Sequence, residues 1–163
     1  MSAHGPQSKH ATAGLRVEPT AIHWAVVDGT IDRPVLVDAK TTSAPKGWDE
    51  PARLNWYRKE LTRILNLYQP RRLAVRDAEA FGPKGRNKSL QDRARIEGVA
   101  IELAYSLGVE VQSGAMKTIS ARLGSKAGKK HIAEDDLRGL DWSEYDDKQR
   151  EAIMSAASLL EQQ

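Results

Sequence analysis

From Leu15 to Val27, β-branched, aromatic and other apolar residues run as "LRVEPTAIHWAVV", broken by Pro19-Thr20, a pattern that predicts two strands joined by a tight turn. "DGTIDRP" predicts a loop, and "VLVDAKTT" alternates as a third, half-exposed strand. Beyond "SAPKGWDEP", residues Leu54, Tyr57, Leu61, Ile64, Leu65 and Tyr68 fall on one face of a helix that Pro70 ends. "RRLAVRD" has the continuous apolar centre of a strand buried on both faces. A second helix runs from about Lys88 to Leu107 and closes at Gly108. "VEVQS" predicts a fifth strand, "AMKTISARL" a short helix and "GSKAGKKH" a flexible cationic loop. The chain ends in "DDKQREAIMSAASLLEQQ", helical in propensity and capped by Asp146 or Asp147. The order is β-β-β-α-β-α-β-α, without an internal repeat.

Length adds that 163 residues suit one domain, expected over residues 14–163 behind a disordered tail of residues 1–13. The absence of cysteine excludes disulfides, iron–sulfur clusters and thiolate zinc sites, and His4, His10, His23 and His131 are too scattered for a zinc ligand set. No window approaches the roughly 20 apolar residues that span a bilayer, and "MSAHGPQSKHATAG" lacks a signal-peptide core, so a cytoplasmic location without membrane contact is expected. The net charge of +3 hides an asymmetry: residues 76–130 carry eleven Lys/Arg against six Asp/Glu, and residues 131–163 carry three against nine. A basic middle segment favours a polyanionic partner. Trp24, Trp48, Trp56 and Trp142 are expected to pack rather than to stack on bases.

The candidate chemistry lies in carboxylates. In "LAVRDAEAF", Asp77 and Glu79 stand two residues apart at a strand's end, on the same face by the strand period, directly before the cationic "GPKGRNK". Glu18 closes the first strand. In the last helix, Ile153, Ala156, Ala157 and Leu160 define a buried face; by helical period Glu151 points away from it and Asp146 toward it.

This order, with acids at these places, resembles the ribonuclease H-like fold in its RuvC-type Holliday-junction resolvase branch, small bacterial relatives included, over roughly residues 14–160. The resemblance implies an α/β fold with a five-stranded mixed sheet and helices on both faces. "GLRVEPT" stands where that family reads like "GxDPG", which puts Glu18 at the first acid, one methylene longer than Asp. The second acid corresponds to Asp77 or Glu79. "REAIMSA" is similar to the second half of a "DxxDALAIA"-like segment, putting Glu151 at the last acid with Asp147 one turn before it and Asp146 as a substitute. In such a family these acids hold Mg²⁺ or Mn²⁺, since two hard cations roughly 4 Å apart hydrolyse a phosphodiester by activating a water and steadying the leaving oxygen. Lys84, Arg86 and Lys88 beyond the acids, and Lys117, Lys129 and Lys130 in "AMKTISARLGSKAGKKH", would hold phosphate with little sequence preference. The implied function is a metal-dependent endonuclease on structured or branched nucleic acid, DNA above all, working as the homodimer that such resolvases use for symmetric cutting. The alternative is a catalytically inactive nucleic-acid-binding or adaptor protein on the same fold.

Overall fold

The computed structural model describes residues 8–77, 88–124 and 128–162. Strands β1 (Thr12–Glu18), β2 (Ala21–Thr30) and β3 (Arg33–Thr42) form an antiparallel meander, while β4 (Arg72–Arg76) and β5 (Glu110–Gly114) continue the sheet in parallel with β1. The order is β3-β2-β1-β4-β5, the expected five-stranded mixed sheet with β1 and β4 side by side. After β1 the chain turns to one side for β2 and β3, and β4 lies on the other. The ends of β1 and β4 therefore meet at a topological switch point, where open α/β sheets bind their ligands.

On one face pack α1 (Glu50–Tyr68) and α2 (Lys88–Ser106), meeting Ala13, Leu15 and Val17 of β1 and Leu73 and Val75 of β4. Asp49 caps α1 by accepting from Ala52 N at 3.0 Å, and Gln69, at φ 46°, ends it just before Pro70. On the other face lie α3 (Met116–Leu123), α4 (Gly128–Ile132) and α5 (Asp147–Ala157), packed on Ala25 and Val27 of β2. Trp24 and Trp142 are core residues and Trp48 is half exposed.

Several boundaries differ from the sequence pattern. β1 begins at Thr12, inside the expected tail, because Ala11 and Thr12 are buried and the Thr12 hydroxyl donates to Ala156 O at 2.6 Å. The expected loop at residues 28–34 is mostly strand: Asp28 pairs with Val35 and Thr30 with Arg33 around a two-residue turn. Ladder pairing satisfies backbone groups that a loop would leave to water, and glycine accommodates the φ of 86° at position 29. Lys129 and Lys130 stand on α4, not on a loop, and its first residue, Gly128, packs so closely on Met116 that a Cβ there would lie 2.5 Å from the Met116 side chain. An unforeseen hairpin, β6 (Asp136–Leu137) with β7 (Leu140–Asp141), turns through Arg138 and Gly139, both at positive φ as a type I′ turn requires.

Candidate nucleic-acid site at the ends of β1 and β4

Alternation along β1 sends Thr12, Gly14, Arg16 and Glu18 to the face that carries α5. Each meets that helix in turn. Thr12 bonds to Ala156, Gly14 lies under Ala152 and Ala156, Arg16 Nε donates to Glu151 Oε2 at 2.6 Å, and the Lys148 ammonium donates to Glu18 Oε1. Gly14 sets this close approach, because a Cβ there would stand 2.0 Å from Ala152 O and 2.6 Å from Ala156 N. Small Ala152, Ser155 and Ala156 complete it, bringing Glu151 down onto the sheet.

β4 repeats the pattern with Arg72, Ala74 and Arg76 on the same face. Arg76 is the register partner of Arg16, and its Nε lies 3.1 Å from Glu151 Oε2, within ion-pair range but off hydrogen-bond alignment. One carboxylate oxygen thus bridges guanidinium groups from two neighbouring strands. Side-chain exposures of 13 % for Arg16, 12 % for Arg76 and 16 % for Glu151 place the triad mostly out of water. Arg93 of α2 joins it electrostatically: burial lowers its pKa first, and the positive charges of Arg16 and Arg76 lower it further.

A second network runs beside the triad. Glu18 Oε2 is 2.7 Å from His23 Nε2, His23 Nδ1 is 2.7 Å from Thr41 Oγ1, and Gln149 Nε2 donates to the same hydroxyl at 3.1 Å. Burial raises the Glu18 pKa, but hydrogen bonds from Lys148 and His23 outweigh it, so the carboxyl titrates below its ordinary 4.5. A lowered folded-state pKa gives stability that is complete above the unfolded value and lost as pH falls through the folded one. The stability advantage of the native chain over Glu18→Gln should therefore be constant above about pH 4.5 and shrink below it, which urea denaturation across that range would check.

Glu18 and Glu151 both reach the switch point, each already bonded to cations. Glu151 was expected to point away from the helix's buried face, yet α5 is buried continuously from Ala152 to its end and Glu151 points onto the ends of the central strands β1 and β4. Asp146 is spent as the cap of α5, its side chain accepting from Gln149 N at 2.8 Å within a capping box, and Asp147 is exposed in the first turn. Asp77 directly follows β4 and its N–H donates to Gly114 O at 3.0 Å; alternation gives the α5 face to Arg76. Glu79, Lys84 and Arg86 lie outside the described residues. Lys88 pairs with Asp92 at 2.8 Å, and Lys117, Lys129 and Lys130 are exposed on α3 and α4. Arg16, Arg76 and Arg93 were not foreseen, although a charge inside an apolar strand is a legible signal of a polar site.

A divalent ion requires several free carboxylate oxygens. Among the described residues no three of His, Asp and Glu group together for one, both oxygens of Glu18 are bonded, and Glu151 is shared by two guanidinium groups. Arg16, Arg76, Arg93 and Lys148 would repel such an ion. The described residues do not fit a two-metal centre.

A mixed sheet of order β3-β2-β1-β4-β5 with helices on both faces defines a ribonuclease H-like α/β protein. Within that fold the chain is similar to RuvC proteins. It is 30% identical over 107 residues to the crossover junction endodeoxyribonuclease RuvC of Rubrobacter xylanophilus, a match covering 66% of this chain and 58% of that relative. The matched region thus spans little more than half of the curated relative's length. Thermus thermophilus RuvC superposes with TM-score 0.74 at 17% identity, covering 91% of this chain and 92% of that one, and its complex with a Holliday junction substrate gives 0.73 over 91% of each. The yeast mitochondrial Holliday junction resolvase Ydc2 gives 0.63 at 10% identity, covering 94% of this chain and 78% of that one. No family model matches the chain. Among the described residues no helix is long and apolar enough to cross a membrane.

Proposed function

We propose that this chain binds structured or branched DNA and that the centre at the ends of β1 and β4 holds it without metal-dependent hydrolysis. The observation that carries the reading is Glu151 Oε2 bonded to Arg16 and beside Arg76, which puts guanidinium groups where a metal-dependent nuclease of this fold needs converging carboxylates. DNA as the partner is supported by the likeness to RuvC, including its structure with a Holliday junction, and by the exposed lysines of α3 and α4.

Fluorescence binding of a labelled four-way junction tests this. With Lys117, Lys129 and Lys130 replaced by Ala, affinity should fall alike for all sequences, and the log–log salt slope should flatten by about 0.7 to 0.9 for each phosphate no longer neutralised. An unchanged slope would show that these lysines only face solvent.

A second reading keeps hydrolysis: an Mg²⁺ or Mn²⁺ endonuclease with Glu18, Asp77 or Glu79, and Asp147 or Glu151 as ligands. The 30% identity over 107 residues to a protein named as an endodeoxyribonuclease favours it. It requires Glu18 and Glu151 to exchange their cation partners for metal.

A further inference from the structure

Buried donors without acceptors are rare, and each calls for a water or an ion to explain it. Three belong to arginines whose charges act on one another. Nε and Nη2 of Arg93 are buried and make no hydrogen bond among the described residues, and buried Nε of Arg76 has only its misaligned ion pair with Glu151 at 3.1 Å. Arg93 Nη2 comes only to 3.9 Å from Glu97 Oε1, and its side chain is 14 % exposed. The local charge comprises three guanidinium groups, Arg16, Arg76 and Arg93, against two carboxylates, Glu151 and Glu97, so the sum is +1. The cluster occupies the switch point of the sheet, the expected ligand position of this architecture.

We propose that Arg16, Arg76 and Arg93 form a site for one phosphate group of a nucleic-acid backbone, with Glu151 as the internal counter-ion that holds the guanidinium groups in place until the phosphate takes their free donors. Planar guanidinium forks match phosphate oxygens two at a time, which an ammonium does not. The forks of Arg16 on β1 and Arg76 on β4 meet at one carboxylate, and the charge of Arg93 on α2 reaches them. The recognition is by charge and shape, with no bond made or broken. The inference relies on the DNA-binding reading only for the source of the phosphate.

The test uses the full chain and inorganic phosphate as probe, followed by NMR of the arginine Nε–Hε resonances, with junction binding measured in parallel. Phosphate should shift the Arg16, Arg76 and Arg93 signals saturably. Arg93→Gln should weaken phosphate by about tenfold, and Glu151→Gln, which removes the competing charge, should tighten it. Arg93 holds no short ion pair among the described residues, so its variant keeps the test open if changes at Arg16 or Arg76 unfold the chain. Absence of a saturable shift, or equal affinity in Arg93→Gln, would overturn the site. If the lysine-dependent salt slope is nevertheless found, DNA binding stands without this subsite; if phosphate binds but the junction does not, the subsite stands and the phosphate comes from another ligand.

Discussion

Glu151→Ala should lower the stability of the fold by about 3 kcal/mol or more, because removing one partner of a buried ion pair leaves uncompensated charge. Here it leaves two, since Arg16 and Arg76 are register neighbours facing the same space and would repel each other. Replacing the whole triad by apolar side chains, as Arg16→Met, Arg76→Met and Glu151→Leu, should cost far less, since buried pairs seldom outweigh their own desolvation. Urea denaturation of the single and triple variants separates the two effects. Equal losses in both would mean that packing, not charge, holds α5 at this point.

Gly14→Ala should cost about 3 kcal/mol by overpacking. The new methyl would meet backbone atoms of Ala152 and Ala156, which cannot rotate away as a side chain end could. Relief requires α5 to lift from β1, and that movement also pulls Glu151 from Arg16 and Lys148 from Glu18. The variant should therefore lose thermal stability. Gly98, whose Cβ would meet nothing within 4 Å, provides the control: Gly98→Ala on α2 should be neutral or stabilising, as alanine suits a helix interior better. Thermal melts of the two variants compare these directly.

Much of the fold is legible in the apolar pattern. The strand centred on "LAV", the helix from Leu54 to Tyr68 and the alanine-rich last helix each bury a face that their periodicity announces. The hairpin at residues 136–141 was hidden because two-residue strands have no period, and their register rests on the turn at Arg138-Gly139. Residues 28–30 carry loop chemistry and became strand because β3 pairs with them, a tertiary gain that local propensity does not contain.

The site was legible only in part. Acids draw attention at strand ends, so Glu18 and Glu151 stood out, but their partners were obscured by being basic. Arg16 lies between Leu15 and Val17, both fully buried, and Arg76 follows Val75. Alternation alone puts both arginines on the face opposite those apolar neighbours, and only the helix laid across that face shows that they converge. Helical period misdirected Glu151 for a related reason: α5 has no solvated side along most of its length, so a single buried face does not describe it.

The proposed cationic centre would hold DNA where converging carboxylates would cut it. The most direct measurement is incubation of the chain with labelled four-way junction, flap and duplex substrates in the presence of Mg²⁺ or Mn²⁺, with binding followed in the same reactions. The junction should be bound and stay intact at either metal. Cleavage that depends on the metal and disappears in Glu18→Gln would contradict it and establish the nuclease reading instead.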